Sequence, residues 1–145
     1  MTLPWYVAAL GAALAWGVHY PLVDHALKRV SLISVLLLTA IPILAIAPLC
    51  HRALAADYAT WQALTWNERL PILATMLTSL VGAVLLYYSI ASKNATLASL
   101  IEISYPVFVA LFAYVLFRHM HLSPPVLVGA AFVFVGVGII IWNNP

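Results

Sequence analysis

Apolar residues in this chain do not alternate with polar ones; they run on, and the charges and turn residues fall in a few short gaps between the runs. Breaking the sequence at those gaps leaves five apolar runs, at about 4–24, 31–50, 70–91, 95–117 and 124–142. Each is close to the roughly 20 residues that a helix needs to cross a hydrocarbon core. In lipid every backbone N–H and C=O has to be satisfied within the segment, and the runs lack the polar-in alternation of a barrel strand, so each predicts a helix. The expected fold is all-α: an integral membrane bundle of five transmembrane helices forming a single domain over 1–145. The one long gap, 51–69, mixes Tyr58, Trp61 and Trp66 with Asp57, Gln62, Asn67 and Glu68, which suits a connection lying in the headgroup layer.

Composition supports the same solvent. The 145 residues are 66% hydrophobic and 7% charged, against about 25% charged in soluble domains. Six Lys and Arg against four Asp and Glu give a net charge of +2. They form no basic run or basic helix face, so nucleic acid is not an expected partner. Cys50 is the one cysteine, which excludes an intrachain disulfide. His119 and His121 stand two apart with no third ligand nearby, so neither a metal site nor a cofactor is expected. The N-terminal stretch lacks a positively charged start and is long enough to span, which reads as a retained helix and not a cleaved signal peptide.

Five spans place the Lys and Arg residues in balance. Arg52, Arg69 and Arg118 fall on one face of the membrane, and Lys28, Arg29 and Lys93 on the other. Orientation is set largely by Lys/Arg bias in short loops, and here the bias vanishes. Two arrangements stay open. Copies inserted both ways would form an antiparallel homodimer, which mimics the inverted repeats of larger transporters; or a partner subunit, or local hydrophobicity, fixes one orientation.

The candidate chemistry sits in the fourth run. Ser99, Glu102, Tyr105 and Pro106 share one helical stripe. A charge at the centre of an inserted helix costs about 2.5–3.5 kcal/mol, so Glu102 needs a reason to be there. It is either a functional carboxylate or a hydrogen-bonding group that holds helices together. His19 lies about 7 Å in from Asp24, and Glu102 about 10 Å in from Ala95, at 1.5 Å per residue. If the first and fourth helices are neighbours, His19 is placed to exchange a proton with Glu102, and Asp24 to meet Lys93. Small residues mark packing seams: Gly11 and Gly17, among Ala9, Ala13 and Ala15, on the first helix, and Gly129 and Gly136 on the fifth. No nucleophile–base set at workable spacing argues for an enzyme.

These residues carry a resemblance. Ala15 to Gly17 (AWG), then LYYSIASKNATLASLIEISYPVFVALFAYVLF and GAAFVFVGVGIII, resemble one EamA repeat of the drug/metabolite transporter superfamily over nearly the whole chain. Members usually carry two such five-helix repeats in opposite orientations. The resemblance implies half of an inverted-repeat transporter that completes itself by homodimerising or by pairing with a related half. It further implies export of small metabolites or drug-like compounds across a cell (inner) membrane. A path lined by Glu102, His19, Trp16, Tyr105 and Ser99 is then expected. Two departures stand out. The related small multidrug resistance proteins use a glutamate in their first helix, where this chain has Trp16, so their mechanism does not transfer. Many EamA repeats end helix four in Gly-Glu, where this chain has Arg118 and His119. Single-repeat relatives include subunits that move lipid-linked sugars, so the competing reading is a membrane subunit that works only with a partner protein.

Overall fold

The computed structural model of the protein describes residues 4–119 and 123–144. Its elements in chain order are α1 (Trp5–Leu27), α2 (Leu32–Ile46), a 3-10 turn (Ala47–Cys50), α3 (His51–Ala63), α4 (Trp66–Ser92), α5 (Ala95–Glu102), α6 (Tyr105–Phe117) and α7 (Pro124–Asn143). All are helical, and no strand occurs among the described residues. Counted as continuous rods, they give five helices long and apolar enough to cross a membrane: Trp5–Leu27, Leu32–Ala63, Trp66–Ser92, Ala95–Phe117 and Pro124–Asn143.

Helix starts follow from local chemistry. Ser31 accepts the Ser34 N–H at 3.3 Å and opens α2. The Asn94 side chain accepts the Leu97 N–H at 2.9 Å and opens α5. At α4 the Glu68 carboxylate takes both the N–H and the hydroxyl of Thr65, at 2.8 and 2.7 Å, one half of a capping box.

Three boundaries differ from the sequence reading. First, α1 runs on through Asp24 to Leu27, because a charge near a membrane surface does not stop a helix that Pro21 has left intact. Second, 51–63 is a helix and not an irregular connection. Its HRALAADYATWQA is rich in Ala, the best helix former, so it continues α2 through the 3-10 turn, where Pro48 removes one α-helical hydrogen bond. Third, the fourth run is two helices. Pro106 has no N–H for the carbonyl of Glu102 four residues back, and its ring crowds that carbonyl. The chain therefore turns at Ile103 and Ser104, where Ser104 bonds Ile101 O through its N–H at 3.2 Å and its hydroxyl at 2.8 Å.

The core is at one end of the bundle. Val23 of α1, Val35 of α2, Tyr87 and Ile90 of α4, and Ala95 and Ala98 of α5 form one buried cluster, with Tyr20, Leu27, Leu32 and Leu86 packed on it. The short connections 28–31 and 93–94 lie at this end, which keeps α1, α2, α4 and α5 close there. Toward the other end the same helices turn their apolar side chains outward: Leu10, Leu14, Leu44 and Leu77 are each more than half exposed. That is the surface a bilayer covers. α7 rests on α5, and Phe108 of α6 meets Phe134 of α7 edge-on, with centroids 6.1 Å apart.

Candidate functional site

The break in the fourth span fixes the site. It leaves Glu102 as the last residue of α5, half-buried, with the turn behind it and α1 in front. Tyr20 of α1 donates its hydroxyl to Glu102 Oε2 at 2.7 Å. One turn earlier on α1, Trp16 tilts against Tyr20 with ring centroids 5.5 Å apart. These residues wall a groove of about 1060 Å³ between α1, α4 and α5, which Ser79, Tyr87, Ser99 and Tyr105 also line. Gly17 and Pro21 of α1 border it as well. Pro21 supplies no N–H to the Gly17 carbonyl, so prolines thin the backbone hydrogen bonding on both sides of the groove.

Electrostatically the groove is simple. Among its lining residues, Glu102 is the one carboxylate, and no Lys, Arg or His is present. The remaining polar side-chain groups are the hydroxyls of Ser, Thr and Tyr and the indole N–H of Trp16. Such a wall offers one exchangeable proton site and many neutral hydrogen-bonding partners beside aromatic faces.

Four of the five path residues read from the sequence line this groove: Glu102, Trp16, Tyr105 and Ser99. His19 does not. Its Nε2 is 3.0 Å from the Tyr87 hydroxyl, and it borders a second groove of about 450 Å³ toward α2, with Thr39 and Pro42. The expected His19–Glu102 pair is therefore corrected: α1 and α5 are neighbours, as that pair required, but the group on Glu102 is Tyr20. Depth in the membrane follows from counting residues. The direction a side chain points does not, because consecutive helix positions are about 100° apart at 3.6 residues per turn. Asp24 pairs with Lys28 of its own helix at 3.3 Å.

Tyr20 and Tyr87, which carry the two hydrogen bonds, are not among the path residues expected from the sequence. The depth count that singled out His19 would have found them too, since Tyr20 is four residues before Asp24 and Tyr87 five before Ser92. At all six glycines the place a Cβ would take has no neighbour within 4 Å. Gly11, Gly17, Gly129 and Gly136 thus make no close helix contact among the described residues. His121 lies outside the described residues, and no group of three His, Cys, Asp or Glu that could hold a metal ion occurs among the described ones.

Comparison with curated proteins and with solved structures returns no match. Residues 3–142, nearly the whole chain, match the family of EamA-like transporters. Together with five membrane-length helices and an all-helical fold, that match makes the protein an integral membrane helical bundle of the EamA-like transporter family, in the form of a single drug/metabolite transporter repeat.

Proposed function

We propose that the chain is a small secondary transporter of a cell (inner) membrane that moves small metabolites or drug-like compounds, works as a dimer, and exchanges a proton at Glu102. The observation that carries this reading is the Tyr20–Glu102 hydrogen bond at the break between α5 and α6, on the wall of the groove between α1, α4 and α5. A charge-assisted bond of this kind is roughly twice as strong as a neutral one, so protonating Glu102 weakens the tie between α1 and α5. The turn at Ile103–Ser104 is a hinge on which α5 can then move against α6. The His19–Tyr87 bond keeps α1 on α4 meanwhile. Proton uptake and groove opening are coupled through one side chain.

Dimerisation is proposed because the groove is walled by one chain on one side only, and lipid is a poor cover for a carboxylate. A second copy, antiparallel or parallel, closes it. The unused small-residue faces of α1 and α7 at Gly11, Gly129 and Gly136 offer close approach to that copy.

The test is flux in liposomes containing the purified protein alone. A panel of labelled amino acids, nucleosides and amphipathic drugs is screened under an imposed pH gradient. Gradient-driven flux is expected from the wild type and is lost in Glu102→Gln, which keeps shape and removes ionisation. Equal flux with equal pH dependence in Glu102→Gln overturns proton coupling there. Flux seen only on co-expression with another membrane protein favours the partner-subunit reading instead.

A further inference from the structure

Donors and acceptors are unevenly shared along the wall of the Glu102 groove. The hydroxyl hydrogen of Tyr20 is committed to Glu102 Oε2 at 2.7 Å, and that of Ser99 to the Thr96 carbonyl at 3.0 Å. What these two hydroxyls still offer a ligand is lone pairs. Gly17 and Glu102 both border the groove, and Pro21 and Pro106 withhold the N–H that an unbroken helix gives to their carbonyls. The carboxylate itself has about four acceptor positions, of which Tyr20 fills one. Against these oxygens, the indole N–H of Trp16 is the one side-chain group on the wall that can only donate. A ligand that fits such a wall brings N–H donors of its own.

Charge narrows the choice. No Lys, Arg or His lines the groove beside Glu102, and the elements around it bring only phenols: Tyr20 of α1, Tyr87 of α4 and Tyr105 of α6. His19 of α1 borders the second groove instead, and α7, which rests on α5, carries no titratable side chain. An anion therefore finds no countercharge and is repelled by the ionised carboxylate. An uncharged molecule displaces water from that carboxylate without neutralising it, which is costly in apolar surroundings. A cation takes the place of the proton and leaves the occupied groove neutral. Trp16 and Tyr105 are 52% and 58% exposed, so their rings are open to a ligand; an aromatic face attracts a cation within about 6 Å of its centroid. The volume of about 1060 Å³ accommodates a drug-sized molecule.

We propose that the groove takes an organic ammonium: a protonated primary or secondary amine on an aromatic body, whose N–H groups meet the Glu102 carboxylate and the oxygens beside it, and whose ring lies against Trp16 and Tyr105. As a statement about substrate it rests on the transport reading above, and it narrows that reading to cations that carry N–H donors. Glu102 holds either a proton or the ammonium. When the ammonium binds, the proton leaves to water.

The experiment is isothermal titration calorimetry of the purified full chain in detergent with four probes that share one ring: 2-(1-naphthyl)ethylamine, its N,N,N-trimethyl analogue, 2-(1-naphthyl)ethanol and 3-(1-naphthyl)propionate. The amine is expected to bind tightest. The trimethyl analogue keeps the charge and has no N–H, and is expected to bind about tenfold or more weakly, the loss of a charge-assisted hydrogen bond. The alcohol and the carboxylate are expected to bind more weakly still. In Glu102→Gln the preference for the amine over the alcohol is expected to vanish; the four-probe series on the wild type decides the matter if that variant does not fold. Trimethyl and primary amines bound alike overturn the N–H requirement, and an alcohol or carboxylate bound as well as the amine overturns the cation. A preference for the amine that survives in Glu102→Gln overturns the assignment to this groove. Liposome flux separates the two readings: amine binding without gradient-driven flux upholds this inference and counts against transport, whereas gradient-driven flux of the alcohol or carboxylate in preference to the amine upholds transport and overturns this inference.

Discussion

The two ends of this bundle are built from the same helices and behave as different materials. At the end carrying the 28–31 and 93–94 connections, Ile90 is 1% exposed and Val23 3%, and four helices meet around Tyr87. At the other end Leu77 is 65% exposed and Leu14 75%. Hydropathy does not distinguish the two, since both are apolar throughout. What differs is the length of chain between neighbours. Two tight turns hold α1 against α2 and α4 against α5, whereas α2 leaves its partners through a 3-10 turn and α3 before α4 begins. In a bilayer there is no hydrophobic force to draw the loose ends together, because lipid tails are as apolar as leucine. Tightness therefore follows short connections and polar contacts, and the side-chain hydrogen bonds Tyr20–Glu102 and His19–Tyr87 lie toward the tight end.

This contrast gives equal truncations at the two ends unequal costs. Ile90→Ala is expected to destabilise by about 2 kcal/mol, the low end of the range for buried aliphatic truncations, since in lipid only the packing part of that cost remains. Leu77→Ala, facing lipid, is expected to stay within about 0.5 kcal/mol. Unfolding of both variants from mixed micelles by a denaturing detergent measures the difference. Equal shifts would mean that the core is not confined to one end.

The hydrogen bonds sharpen the comparison at smaller scale. Tyr20→Phe removes the donor to Glu102 while keeping the ring, and is expected to cost about 0.6–1.7 kcal/mol, between the average and the maximum measured for interhelical bonds in a membrane protein. Tyr87→Phe, which cuts the neutral contact to His19, belongs near the bottom of that range. A Tyr20→Phe variant as stable as the wild type would remove this bond as a tie between α1 and α5.

How much of this was readable in advance follows from what each feature depends on. The spans are one-dimensional, so runs such as Pro124–Trp142 show them directly. Glu102 announced itself by being a carboxylate in such a run. The break beside it is legible too, since Pro106 stands four residues on and offers no N–H to the Glu102 carbonyl. The partner of Glu102 was not legible. His19 and Tyr20 differ by one position and so point about 100° apart, and only the packing of α1 on α4 and α5 decides which faces the acid.

The smallest predicted effect concerns the open side, where α6 ends. Arg118 closes α6 with φ 58°, the left-handed region that glycine occupies without penalty, and its guanidinium lies 5.5 Å from the Tyr114 ring centroid. A non-glycine residue there costs roughly 1–2 kcal/mol. Replacing it with glycine removes that strain, restores some chain entropy to the unfolded state at a cost of about 0.5–1 kcal/mol, and forfeits the exposed contact with Tyr114. The balance is a stabilisation of about 0.5 kcal/mol for Arg118→Gly, against about 0.5 kcal/mol or more of destabilisation for Arg118→Ala, which keeps the strain and loses the ring contact. The sign of the difference between the two variants, read from their thermal midpoints in one detergent, is the informative quantity. If glycine is no better than alanine, α6 ends some other way in the membrane. Its end is then shaped by a neighbour and not by its own backbone, and the side of the bundle described as open is covered.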